Sequence, residues 1–406
     1  MDLIFRWVNN DDGKARREAV TRALLDGDPD WQRFLEGFLY VDQVRNGRDL
    51  RGLDLSGLDL RKSRLDNARL ELAGFERANL EKLSLQRCDA QDARFNGANM
   101  AGLVATGTNL HSAELRGVNL SKANLAHCRL SDADLTGANL SEANLKGADL
   151  AGAVIEEANL SGACADLAVL SRARGLRAVA VGASFVKSHW HKASLPEANL
   201  QGADLTDANL VFVNLEGANL SRAILDNARL RKANLQRTNL EGARCRGVNL
   251  QEVSISAARF EGVDLEGAHL GGALGFSGVN LRGANLQGAD LTGARLSQAD
   301  LTDANLTDAN LTDALLARAD LSGACLADAV LRQTDLSQAS LPDCRLNGAL
   351  IDRTNLRGAN LQGADLTGSR FITAWFSMAN VQGARLDDIH RAALAGSLGQ
   401  PTFSEG

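Results

Sequence analysis

The sequence predicts an all-β solenoid: a coil with straight sides, closed at its start by a small α-helical cap and at its end by a short helix. Two observations carry this. The first is a five-residue word, Ala-Asn/Asp-Leu-x-Gly, clean in residues 138–150 and again in 304–313. The second is its phase. A large apolar residue, nearly always Leu, stands on every fifth position from Leu55 to Leu270. One residue is inserted in 271–276, and the pattern then runs from Phe276 to Leu386. That makes 67 words, which no chance arrangement produces, so the repeat governs every other reading.

A period of five matches neither the 3.6 of a helix nor the 2 of a strand, so neither keeps the Leu on one side. A coil that makes one side per word does. The Leu and the small residue two before it point inward, and the next two residues turn the corner, where Gly, Asn, Asp and Ser are favoured. The centre is Leu, varied by Phe75, Phe95, Ile155, Phe260 and Phe371. The inward small site is mainly Ala, replaced by Ser63, Thr108, Val118, Cys128 and Thr334.

Residues 53–386 thereby resemble the pentapeptide repeat family. The resemblance implies a right-handed quadrilateral β-helix of four words per coil, here about 17 coils, stacked at strand spacing into a rod roughly 80 Å long.

In chain order, residues 1–49 carry no repeat. Asp11-Asp12 cap a helix from about Gly13 to Leu25, which Gly27-Asp28-Pro29 ends. Trp31, Phe34, Leu35, Phe38 and Leu39 have the spacing of an amphipathic helix. Both cover the open end of the coil, and they can also dock a partner. The solenoid fills 50–386. One column, twenty residues apart, reads Asn79, Asn99, Asn119, Asn139, Asn159, Val179, Asn199, Asn219, Asn239, then Asn280, Asp300 and Asp320 onward. Its amides form a structural ladder or, alternatively, a flat adhesive face. The insertion keeps that face, as a bulge would. Residues 166–196 lose the consensus: Gly175 and Ala180 stand at centres and Trp190 is bulky, which predicts a distorted coil or protruding loops. In 387–406, residues 387–394 read as a short helix over the second end, followed by a frayed tail.

Net charge is −6, from 50 acidic and 44 basic residues, so neither a nucleic-acid partner nor strong acidic mimicry follows. Cys88, Cys128 and Cys344 occupy the inward small site and Cys245 a centre, while Cys164 and Cys325 face outward. They read as inert core substitutes in a reducing compartment, hence a cytoplasmic protein. An export signal other than a cleavable one would leave no mark here. No run approaches a membrane span of about 20 residues. No catalytic or cofactor-binding motif stands in a suitable context, so the reading is not an enzyme and needs no cofactor. His189-Trp190-His191 lacks a nearby Cys or carboxylate to complete a metal set.

Two binding functions follow from the resemblance. One is a rod-like scaffold for a protein partner, in the manner of adaptors or effectors linked to bacterial secretion systems. The other is a DNA mimic that binds gyrase and protects it from quinolones. Members of that second class are shorter, more often Phe-centred and acidic along one face. Here Arg229, Arg231, Lys232, Arg237, Arg244 and Arg246 interrupt any acidic stripe, so the scaffold is favoured. The open ends of a solenoid also permit a homodimer. The candidate protein-binding patch is the irregular stretch. No acidic residue lies between Asp166 and Glu197, where Arg172, Arg174, Arg177, Lys187 and Lys192 supply the charge, His189 and His191 flank it, and Trp190 offers an aromatic anchor.

Overall fold

Each word ends in a tight corner. At Leu140 the Ala143 N–H donates back to the Leu140 carbonyl at 3.0 Å. The third residue of that turn, Glu142, has φ 56° while the second does not. This is the signature of a type II turn, and it explains the Gly of the word. Arg77, Lys122 and Glu157 hold the same place at φ 56–58°, each at a cost of about 1 kcal/mol or more. The polar residue before the Leu completes the corner: Asn139 Oδ1 accepts the Ser141 N–H at 3.1 Å.

Four corners return the chain over itself after twenty residues. Asn119 pairs in parallel with Asn139, and Asn139 with Asn159. The Leu140 N–H donates forward to the Asn159 carbonyl at 2.7 Å, and the Asn139 N–H backward to Val118 at 2.9 Å. The computed structural model describes residues 3–38, 48–273 and 275–388. Nearly every side pairs through a single residue. Longer strands form at β1 (Val330–Arg332), β2 (Leu350–Asn355) and β3 (Arg370–Trp375), a parallel sheet in that order.

The chain divides into two units, Met1–Asp204 and Leu205–Gly406. In both, Leu centres and Ala small sites are almost wholly buried and form a continuous lumen. The coil is formed from the start of the expected 50–386 span, one word ahead of the first clear centre at Leu55: Asp49 pairs with Arg69, and Leu50 is fully buried. The amide column carries a ladder, with Asn99 donating to Asn79 at 3.2 Å and Asn119 to Asn99 at 3.1 Å in the first unit, and Asn380 to Asn360 at 2.9 Å in the second. Arg259 stands in it between Asn239 and Asn280, a member the sequence reading skipped. The interval from Arg259 to Asn280 absorbs the inserted residue and the face is kept. Leu274 itself lies outside the described residues.

The helix α1 (Asp11–Asp26) begins one step before the expected cap. Asn10 accepts the Gly13 N–H at 2.6 Å, which leaves Asp11 and Asp12 in the first turn, where the helix dipole favours them. Gly27, at φ 74°, ends it in the left-handed conformation. The second predicted helix is a 3₁₀ segment, Trp31–Leu35, with Phe38 buried beyond it. The apolar spacing served packing against the coil instead of a full helix; Leu39 lies outside the described residues. So does the predicted terminal helix from residue 389 onward, together with the tail.

Residues 166–196 are a correction. Every side there pairs at the twenty-residue interval, for example Val154 with Arg174 and Val169 with His189, and no loop protrudes. The reason is volume exchange across the lumen. Gly175 lies on the side opposite Phe185, and Ala180 on the side opposite Trp190. Two small centres make room for two large ones in the same coil, so total volume is kept. A Cβ on Gly175 would already meet Ile155 Cγ1 at 3.0 Å and Leu195 Cδ2 at 3.1 Å.

Candidate protein-binding site

Stacking decides which charges meet. In a coil of this period, the neighbours of a surface residue are the residues twenty before and twenty after it. The Gly152 N–H donates to the Ser171 carbonyl and the Arg172 N–H to that of His191. Positions 152, 172 and 192 therefore stack on one corner, with Arg172 directly beside Lys192. Arg174 lies on the next side, between Val154 and Ser194. His191 belongs to the same corner and His189 to the side that leads into it. Arg172, Arg174 and Lys192 are exposed, and they form no ion pair among the described residues.

The remaining candidates part from this group. Arg177 sits one corner further on and is paired with Glu157 at 2.5 Å; Glu197 is the next residue of its column. Lys187 sits on the corner before, stacked on Leu167. The absence of acids between Asp166 and Glu197 was a property of the sequence order, and the coil supplies carboxylates from adjacent turns.

Trp190 is no anchor. It is 1 % exposed, and its ring meets Phe185 edge-on with centroids 4.8 Å apart. Its Nε1–H donates to Ser188 Oγ at 2.6 Å, and Ser188 Oγ–H donates to the Phe185 carbonyl at 2.6 Å. Ser188 replaces the usual Ala because a buried indole N–H needs an acceptor. Among the described residues no group of three or more His, Cys, Asp or Glu side chains converges as a metal site. No helix of them is long and apolar enough to cross a membrane.

Sequence reasoning missed a second surface, the cleft between α1 and the first coil, where Lys14, Arg17 and Arg22 face Asp54 and Ser56. Its main features are backbone groups, which leave no mark in residue type.

These features define a repeat protein: a four-sided, parallel β-solenoid with a polar exterior. The family model for pentapeptide repeats matches in successive segments from 49–81 through 351–388. The chain belongs to the pentapeptide repeat family, and its fold is the right-handed quadrilateral β-helix of that family. Solved structures similar to it include HetL, involved in heterocyst differentiation regulation in Nostoc sp. strain PCC 7120. That chain is 26% identical, with 74% of this chain and 90% of HetL covered and a TM-score of 0.21. Rfr23 of Cyanothece 51142 is 27% identical over 28% of this chain and 85% of its own, with TM-score 0.21. QnrB1, a plasmid-mediated fluoroquinolone resistance protein, is 18% identical over 58% and 95%, also with TM-score 0.21. No curated protein matches the chain. The family assignment rests on the family model and not on these superpositions.

Proposed function

We propose that the protein is a non-enzymatic scaffold that binds an acidic surface of a protein partner in the cytoplasm. The observation that carries this is the group Arg172, Arg174 and Lys192: three exposed cations on one corner and its adjoining side, whose own stacking neighbours are Gly152, Val154 and Ser194 and include no acid. Unmatched like charges on a rigid frame steer an oppositely charged partner and set its orientation. The regular coil beneath them, locked by Trp190 and Ser188, holds them in place without a folding step on binding. Buried thiols along the lumen suit a reducing compartment.

The test is affinity capture from the native host with identification by mass spectrometry, followed by titration of the recovered partner. Arg172→Glu/Arg174→Glu/Lys192→Glu is expected to weaken binding at least about tenfold and to flatten its salt dependence. The melting temperature should be unchanged, because exposed side chains are altered. Unchanged affinity and salt dependence would place the partner elsewhere.

A further inference from the structure

Among the described residues no coil precedes the first one, and its edge is open. In an interior coil, the residue before each Leu bonds the preceding coil through both backbone groups. Asn139 donates to Val118 and accepts from Leu120, and the first corner residue, Ser141, accepts from Lys122. In the first coil the corresponding groups fall in residues 49–66. The cap serves two of the four sides. Arg6 Nη2 donates to the Asp49 and Arg51 carbonyls, and Trp7 Nε1 to that of Arg51 at 2.8 Å. On the far side Trp31 Nε1 donates to the Arg64 carbonyl at 2.9 Å, and Arg48 reaches that of Asp66.

The two sides between them receive nothing from the described residues. The N–H and carbonyl of Asp54 and of Asp59, and the carbonyls of Ser56 and Arg61, have no hydrogen-bond partner among the described residues. Beside them runs a cleft of about 600 Å³ under α1, lined by Lys14, Arg17, Glu18 and Arg22. It is continued around the corner by an opening beside Leu25, Arg61 and Lys62. The corner itself, Gly57 at φ 72°, has open space where a Cβ would stand.

We propose that this edge binds an extended acidic peptide segment of a partner protein, which adds itself as a parallel strand along residues 54–56 and, past Gly57, along 59–61. Unpaired strand edges are templates for such addition, and main-chain bonds supply the affinity while side-chain environments select the sequence. Six backbone groups, unpaired among the described residues, lie along these two openings. The wall selects for acid. Arg17, Arg22 and Lys62 form no ion pair among the described residues. The carboxylates opposite are engaged locally, Asp54 by the Ser56 N–H at 3.0 Å and Asp59 by Arg61 at 2.7 Å. Alternate residues of the incoming strand would meet Leu25 and Leu58. This surface is separate from the basic corner at Arg172, so either can fail alone.

A fluorescein-labelled nonapeptide of alternating Glu and Val tests it against the full chain by fluorescence polarisation, with amide hydrogen exchange read at Asp54 and Asp59. Saturable binding is expected, with exchange at both amides slowed about tenfold or more at saturation. N-methylation of the peptide backbone should weaken binding about tenfold or more, as loss of main-chain bonds requires. Arg17→Glu/Arg22→Glu, in the wall of the cleft, should weaken it too. The proposal is overturned by absent binding, by equal binding of the N-methylated peptide, or by unchanged exchange at Asp54 and Asp59. It is equally overturned if the protein alone protects those amides in a concentration-dependent way, because the occupant is then a second copy.

Discussion

The threonine hydroxyls and the Cys88 and Cys128 thiols at the inward small place are satisfied by the coil beneath them. Thr334 Oγ1 donates to the Leu311 carbonyl at 2.8 Å and Thr238 Oγ1 to that of Leu215 at 3.0 Å; Cys128 Sγ donates to Ala105 at 2.8 Å and Cys88 Sγ to Leu65 at 2.9 Å. In each case the acceptor is the centre residue 23 positions earlier, whose second lone pair is free because the turn uses only one. The polar atoms therefore cost little. The same burial pushes the Cys128 thiol up to about 12, and likewise that of Cys344, and raises Cys245 as well. With no thiolate at neutral pH, these three should resist a disulfide reagent at pH 8 until urea unfolds the coil. Rapid labelling of Cys128 in the native protein would show that its place opens to solvent. The inward place of these cysteines was legible from phase alone. Their acceptors were not, because they are set by stacking between words 23 residues apart.

At the scale of the element, the coil of Gly175, Ala180, Phe185 and Trp190 shows what phase does not reveal. Read word by word, two centres are missing and one is too large. Read as one layer, small faces large and the lumen is filled. Trp190→Leu should leave a cavity and lose about 2–4 kcal/mol. Ala180→Leu should overpack against the indole and lose about 1–3 kcal/mol. The double variant should be more stable than the sum of the two losses predicts, because the added side chain enters the space the indole leaves. Additive losses in urea melts would show that the two sides do not share one volume.

The cap is a second element with its own chemistry. Arg6 is buried with Asp49 at 2.7 Å, and Arg51 holds the other carboxylate oxygen at 2.6 Å. Burial opposes the Asp49 charge, but hydrogen bonds from Arg51 and Arg6 outweigh it and hold the carboxyl well below its usual range. A lowered carboxylate stabilises fully above the unfolded value near 4 and loses that contribution as the pH falls below it. Asp59, held at about 2 by Arg61, titrates in the same direction. Acidification from pH 5 to pH 2 should therefore loosen the cap first, seen as faster exchange of the Trp7 and Trp31 indole N–H groups. Asp49→Asn leaves Arg6 buried without its counter-charge and should show that loosening at pH 7, with a loss of about 3–5 kcal/mol. Indole exchange that stays slow in the variant would mean the ion pair does not hold the cap.

For the molecule as a whole, the distribution of charge separates a scaffold from a DNA mimic. A mimic of the phosphate backbone needs carboxylates that are exposed, regularly spaced and unmatched, since counterion release drives the binding it imitates. Between residues 226 and 264 of the second unit, where basic residues interrupt the sequence, several carboxylates are matched about one coil away. Arg231 pairs with Glu252 at 2.5 Å, Arg244 with Asp226 at 2.7 Å, Arg246 with Asp264 at 2.6 Å and Arg259 with Glu241 at 2.7 Å. Burial opposes the charge on Asp264, yet its bond from Arg246 helps hold the carboxyl below its usual range, as it would not in a bare acidic row. Sequence alone showed that the signs alternate; that they meet at intervals of 18 to 21 residues required the coil. Each pair is worth little at an exposed site, but together they break up an acidic stripe over residues 226–264. Purified protein at low micromolar concentration should therefore leave gyrase supercoiling unchanged and give no rescue from a quinolone. Clear inhibition or rescue would mean that matched carboxylates suffice for that mimicry, and would move the functional surface from the basic corner to these faces.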